Sequence, residues 1–176
     1  MGSAPPAGDD AKENEVVCLE RALFLELARR YKDTVYRVAL NALGGDTQEA
    51  DDAVQEVLIR LLERKEPFES ETHAKYWLIR VTLNHCKNAM RAPWRKRSVP
   101  LEAADALPVF DRPEQGELYA MVMALPEKYR VPLYLFYYEG YSVREIAALL
   151  GISESAVTTR LSRARQTLKT ELTEVS

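Results

Sequence analysis

Apolar residues along this chain recur at intervals of three and four, and no convincing strand or internal repeat interrupts that period. From about Val17 to Arg64 the pattern is helical throughout, broken at Gly44-Gly45. Asp46 or Thr47 can then cap a helix whose Val54, Val57, Leu58, Leu61 and Leu62 form one apolar face. Lys65 to Ser70 contains a helix-breaking proline and is expected as a loop. A long helix is predicted from near Thr72 to Arg91, with Ile79, Leu83, Cys86 and Met90 buried at i, i+4, i+7 and i+11. Pro93 to about Gly116 carries Pro100, Pro108 and Pro113 and has the character of a linker. Beyond it, Pro126 suits the first position of a further helix. Pro132 should kink or interrupt that helix, because it lacks an N–H and its ring crowds the preceding turn. The expectation is an all-α protein of two small helical domains joined by a flexible linker.

The stretch from Ser142 to Arg165 is the most specific part of the pattern. Ser142 with Glu145 three residues on makes a capping box, and Ile146, Ala147 and Leu150 follow on one face. Gly151 can take the left-handed conformation that ends a helix, and Ser153 can cap the next. There Val157, Leu161, Ala164 and Leu168 form the buried stripe, which leaves Thr158, Thr159, Ser162, Arg163 and Arg165 pointing largely away from the core. Hydroxyls and guanidiniums are the groups that reach base edges and phosphates. A plain helical hairpin with a solvated basic face would need none of this agreement between caps, turn glycine, register and charge. The segment is predicted to be a DNA-binding helix-turn-helix.

Charge sharpens the picture. The 176 residues carry a net charge of −3 at 47% hydrophobic content, so the whole chain is no generic polyanion binder. Asp9, Asp10, Glu13, Glu15 and Glu20 load the amino end, and Asp46, Glu49, Asp51, Asp52 and Glu56 make a second acidic block. Lys87, Arg91, Arg95, Lys96 and Arg97 form one basic run, and Arg160, Arg163, Arg165 and Lys169 another. Such segregation suggests nucleic-acid contact on some faces and a separate acidic docking surface. Two such faces stand out. Trp77, Arg80, Asn84, Lys87 or Asn88, and Arg91 recur at helical spacing beside Tyr76, cations mixed with an aromatic able to stack on an unpaired base. On the preceding helix Asp52, Gln55, Glu56 and Ile59 share the side opposite the leucines, as a protein-docking patch would.

Enzyme chemistry finds little support. There is no Gly-rich phosphate loop, His-Glu-x-x-His or Gly-x-Ser-x-Gly, and His73, His85, Cys18 and Cys86 lack metal-ligand spacing. No catalytic site, metal or cofactor is expected. Two cysteines give no disulfide framework, and no secretory signal or membrane-length apolar run is seen, so a cytoplasmic protein without membrane insertion is expected.

Four ordered motifs together resemble bacterial sigma factors of the extracytoplasmic-function (ECF) group. They are Glu49-Ala-Asp-Asp-Ala-Val-Gln-Glu-Val-Leu-Ile-Arg-Leu-Leu, Tyr76-Trp-Leu-Ile-Arg-Val-Thr-Leu-Asn, Leu125-Pro-Glu-Lys-Tyr-Arg, and the helix-turn-helix ending in Arg163-Ala-Arg-Gln-Thr-Leu. The resemblance spans about Val17 to Leu172. Met1 to about Glu13 is rich in Gly, Pro, Ala and Asp and is expected to be disordered, a tail over 1–16; with the linker over 93–116, the resemblance implies a region-two domain over 17–92 and a region-four domain over 117–173.

In that family the helix matching Asp52, Gln55, Glu56 and Ile59 docks on the clamp of core RNA polymerase. The helix matching Tyr76, Trp77, Arg80, Asn84, Lys87, Asn88 and Arg91 holds open the −10 element as single strands, and the loop matching Arg64 to His73 accepts a flipped-out base. The terminal helix reads the −35 duplex, which the resemblance assigns to Ser155, Thr158, Thr159, Ser162, Arg163 and Arg165, while the same domain grips the polymerase flap. An anti-sigma factor, often membrane-bound, is the partner the resemblance adds; it could hold the chain at the membrane. Where the family often has an aspartate four residues after the asparagine, this chain has Asn88. The alternative is a freestanding helix-turn-helix regulator, which would bind a two-fold symmetric operator without polymerase.

Overall fold

Seven helices account for the regular structure in this computed structural model, which describes residues 9–93 and 113–175. They are α1 (Asp9–Ala42), α2 (Thr47–Glu63), α3 (Glu71–Arg91), α4 (Pro113–Ala124), α5 (Glu127–Tyr137), α6 (Val143–Leu150) and α7 (Glu154–Val175). No strand occurs among the described residues, so the all-α expectation holds. Arg95, Lys96, Arg97, Pro100 and Pro108 lie outside them, as do residues 1–8.

Local chemistry sets the first three helices. Gly44 and Gly45 adopt φ of 72° and 89°, a conformation that costs other residues strain. The Gly45 amide turns back to the Leu40 carbonyl at 2.9 Å and closes α1. Of the two candidate caps, Asp46 is the one used: its carboxylate accepts the Glu49 amide at 3.1 Å. Ser70 starts α3 in the same way, accepting the His73 amide at 3.0 Å. Glu71 then ties that end to α1, receiving Tyr31 Oη at 2.7 Å and Arg30 at 2.9 Å.

Three boundary expectations need correction. α1 begins at Asp9, so residues 9–16 are helical rather than part of the tail. α4 begins at Pro113, inside the stretch assigned to the linker, with proline at the position where its missing N–H costs nothing. Pro126 is the residue before α5 rather than its first member, its ψ of 142° being extended.

Pro132 does not break α5. Its ring is fully buried, and packing against α1, α6 and α7 holds the helix through the lost bond. Two predicted core residues are also outside the core. Leu62 is 64% exposed, since it sits one residue, and hence about 100°, round α2 from buried Leu61. Met90 is 37% exposed, one turn beyond Cys86, the last buried position of α3.

In the second half both bonds of the capping box form: Glu145 N to Ser142 Oγ at 3.3 Å, and Ser142 N to Glu145 Oε2 at 2.8 Å. Gly151 closes α6 at φ 65°, and Ser153 Oγ accepts the Ala156 amide at 3.1 Å. Val157, Leu161 and Ala164 are buried beneath α7, with Leu168 partly so; on α6, Leu149 is buried and Leu150 half-buried at the helix end. The bonds from Ser142, its backbone amide first, hold the Glu145 carboxyl below the usual carboxylate value. A depressed folded value means stabilisation present above the unfolded pKa and lost as pH falls through the folded one. Ser142→Ala should therefore cost about 1 kcal/mol near neutrality. The part of its deficit that comes from the Ser142 Oγ–Glu145 Oε2 bond at 2.8 Å should vanish on acidification below the ordinary glutamate range, followed by urea melts; a deficit with no pH-dependent part would count against that bond.

The two halves share one core. Val38 and Ala39 of α1, Leu43 just after it, and Ile79, Leu83 and Cys86 of α3 cluster with Leu125, Val131, Leu133, Leu135 and Ile146 from the second half. Arg130, only 5% exposed, crosses this junction: Nε donates to the Asn41 carbonyl at 2.6 Å, and Nη1 to those of Met123 at 3.0 Å and Leu125 at 2.7 Å. Those carbonyls belong to the ends of α1 and α4, where helices leave acceptors unpaired. One guanidinium thus caps two helices. Lys75 pairs with Glu139 at 3.0 Å, and the Tyr76 ring meets Tyr141 edge-on at 6.3 Å.

Candidate nucleic-acid and polymerase interfaces

On α7 every member of the predicted row is exposed: Ser155, Thr158, Thr159, Ser162, Arg163 and Arg165. At about 100° per residue, Ser155, Thr158, Thr159 and Ser162 occupy a single arc. Arg163 and Arg165 flank it, roughly 80° to either side of Ser155. The hydroxyls of Thr158 and Thr159 donate to the carbonyls of Glu154 at 3.1 Å and Ser155 at 2.9 Å. What they present outward is a methyl group and free acceptor lone pairs. Arg163 leans on Tyr129 Oη at 3.4 Å and Arg165 on Tyr137 Oη at 3.0 Å, so the two arginines are steered apart by α5. The Tyr129 hydroxyl is held below its ordinary pKa, by the Arg163 bond first and by Lys128.

The α3 face divides into two environments. Arg80, Asn84, Lys87, Asn88 and Arg91 are exposed along the helix. Asn84 and Lys87 line a narrow cleft against Glu127, Lys128, Pro132 and Arg160 of the second half. Trp77 and Tyr76 are both half-buried. The Trp77 ring packs on Phe68 at 5.6 Å between centroids, and the Arg64 guanidinium lies 5.0 Å from Trp77 and 4.5 Å from Phe68. Phe68 in turn meets His73 edge-on at 5.5 Å. The loop before α3 is therefore an aromatic cluster with a cation on it, a chemistry that suits stacking on a base. Sequence spacing flagged Trp77; its partners Arg64 and Phe68 lie across the loop, where helical periodicity carries no information.

On α2, Asp52, Gln55 and Ile59 are exposed, while Glu56 is half-buried and bonded to Arg60 at 2.9 Å. Ile59 is 50% exposed, and Leu62 continues its side, three residues on. Asp52, Gln55, Ile59 and Leu62 are spaced three, four and three residues apart, which makes one stripe of the helix. Periodicity alone places Leu62 in the core; the run Ile59-x-x-Leu62 opposite the buried valines is the sign of a second apolar stripe. Among the described residues no His, Cys, Asp and Glu cluster could hold a metal, and no helix is long and apolar enough to cross a membrane.

Two family models match this chain: Sigma-70 region 2 over residues 27–96 and Sigma-70 region 4 over residues 115–168. The chain belongs to the sigma-70 family, whose members are the promoter-specificity subunits of RNA polymerase. Within it the chain is an ECF sigma factor. It is 31% identical over 153 residues to the ECF RNA polymerase sigma factor SigM of Mycobacterium tuberculosis, covering 85% of this chain and 76% of that one. It is 34% identical over 154 residues to SigE of Mycolicibacterium smegmatis, covering 82% and 59%. SigW of Bacillus subtilis is 26% identical over 166 residues, covering 85% and 88%. The fold is shared with the sigma factor RpoE solved in complex with the anti-sigma factor NepR from Bartonella quintana. The TM-score is 0.69 at 22% identity, over 87% of this chain and 96% of that one. The presence of both regions in one chain does not favour a freestanding helix-turn-helix regulator.

Proposed function

We propose that the chain docks on the clamp of core RNA polymerase through the α2 stripe of Asp52, Gln55 and Ile59 with Glu56 at its margin, now joined by Leu62. It then divides promoter recognition between its halves. α3 engages the −10 element, with Arg80, Asn84, Lys87, Asn88 and Arg91 along the strand and Tyr76 and Trp77 at the aromatic end. The loop from Arg64 to His73 receives an unstacked base against Phe68 and Trp77. Stacking returns about 1–3 kcal/mol per base, comparable to the few kilocalories each unstacked step costs. α7 reads the −35 duplex through Ser155, Thr158, Thr159 and Ser162, flanked by Arg163 and Arg165.

The domain assignment follows the same division: a polymerase-docking and strand-opening unit before the linker, a duplex-reading unit after it. An open apolar groove lined by Leu118, Val122, Leu133, Tyr137, Leu168 and Leu172 is suited to the polymerase flap. The chain has no catalytic role of its own, acts in the cytoplasm, and is controlled by an anti-sigma factor of the kind named in the RpoE and CnrH complexes.

The observation that carries this reading is the wholly exposed polar row of α7 standing over a buried Val157, Leu161 and Ala164 stripe. Arg163→Ala should lower promoter-specific transcription by roughly tenfold or more, the loss of about 1–3 kcal/mol for a base contact. Affinity for core enzyme, measured by gel filtration or fluorescence titration, should stay unchanged. Loss of core binding instead would refute the assignment of Arg163 to DNA.

A further inference from the structure

Beside the α7 row lies a polar cleft of about 340 Å³, walled by Lys128 and Tyr129 at the start of α5 and by Ser155, Thr159, Arg160 and Arg163 on α7. Three cations converge on it and no carboxylate lines it. None of Lys128, Arg160 and Arg163 has an ion-pair partner within 4 Å among the described residues. Tyr129 gathers two of them: the Lys128 ammonium lies over its ring at 5.0 Å, and its hydroxyl accepts from Arg163 at 3.4 Å. Like charges brought together around a concave surface repel unless an anion joins them. The cleft opens onto the side of α7 that carries Arg163, and shares Ser155 and Thr159 with the row assigned to the −35 duplex.

We infer that this cleft seats one backbone phosphate of duplex DNA at the edge of the −35 element, held by Lys128 and Arg160. Tyr129 is a positioning residue: its hydroxyl aims Arg163 toward the groove while its ring supports Lys128. This rests on the proposed reading of α7 as the −35 helix and extends it to residues on α5. It separates two kinds of contact. Lys128 and Arg160 set register and affinity without reading sequence, whereas Tyr129 acts on sequence preference through Arg163.

The test uses holoenzyme reconstituted with full-length chain, on a promoter that the wild type selects, with the affinity measured across salt concentrations. Lys128→Gln and Arg160→Gln should each flatten the plot of log K against log salt, by about 0.9 for the two together, the one phosphate contact they share, and leave the ranking of −35 base substitutions unaltered. Tyr129→Phe should keep the wild-type slope but shrink the penalty for substituting the base pair that Arg163 reads. Core affinity and melting temperature serve as folding controls. The glutamine pair offers two independent readings of the cleft. Unchanged slopes in both variants overturn it, as does flattening by Arg160→Gln alone, or flattening that persists on DNA lacking the −35 element. A wild-type holoenzyme that selects no promoter would defeat the −35 reading itself and the cleft with it, an outcome seen before any variant is made.

Discussion

Arg130→Ala should be the most damaging single change to stability in this chain, costing about 3–5 kcal/mol. The guanidinium serves three carbonyls at the ends of α1 and α4, two of the three bonds being fully buried. Removing it strands those acceptors away from water, and each orphan costs about 1–3 kcal/mol. It also empties the centre of the junction where α1 meets α5. Burial is the first cause holding the Arg130 pKa below its ordinary value; a guanidinium keeps its proton in proteins, so the side chain enters the core charged. Hydrogen bonds to a charged donor are the stronger kind, which is why the loss exceeds that of a neutral pair. The melting temperature should fall by on the order of 10 °C. Arg130→Lys, with charge but without the planar fork, should fall between the two. An alanine variant melting within a degree or two of the wild type would mean that the Arg130 bonds contribute little.

The largest functional effect should come from Ile59→Asp with Leu62→Asp. Both side chains are exposed in the free chain, so their replacement should leave the melting temperature near that of the wild type. At a docked interface they would be the apolar centre of the α2 stripe, with Asp52 and Gln55 as its polar end. Apolar residues desolvated at the middle of an interface carry most of its energy, and burying a carboxylate there adds a further penalty. Affinity for core RNA polymerase should drop by roughly 100-fold or more, the equivalent of about 2.8 kcal/mol. Gln55→Ala with Glu56→Ala should cost less, because Glu56 is already satisfied by Arg60. Unchanged core affinity in the double aspartate variant would remove α2 as the main dock.

Most of the fold is legible because it is written locally. The capping box of Ser142 and Glu145, the left-handed Gly151, the Ser153 cap and the Val157–Ala164 stripe all follow from residues within one or two turns of each other. So does the break at Gly44-Gly45. What escaped the sequence is what depends on distant partners. Arg130 and Asn41 are 89 positions apart, and no local pattern marks a guanidinium that caps the ends of two helices. Pro132 was expected to break a helix because propensity counts the lost bond and not the walls that hold α5. Leu62 was counted as core because periodicity defines a stripe but not which edge of it a neighbour covers. The site followed the same rule. The α7 row was readable as the complement of a buried stripe, whereas the aromatic cluster of Arg64, Phe68 and Trp77, and the tyrosines that steer Arg163 and Arg165, required the loop and α5 to be placed.

On the reading proposed above, this one chain supplies both promoter recognition and polymerase docking. Run-off transcription tests it most directly, with purified chain, core RNA polymerase freed of other sigma factors, and a library of promoter fragments from the native genome. Transcripts should arise from a discrete set of two-part, asymmetric promoters and appear only when both proteins are present. Failure of the folded chain to bind core, together with a palindromic footprint made by the chain alone, would contradict it.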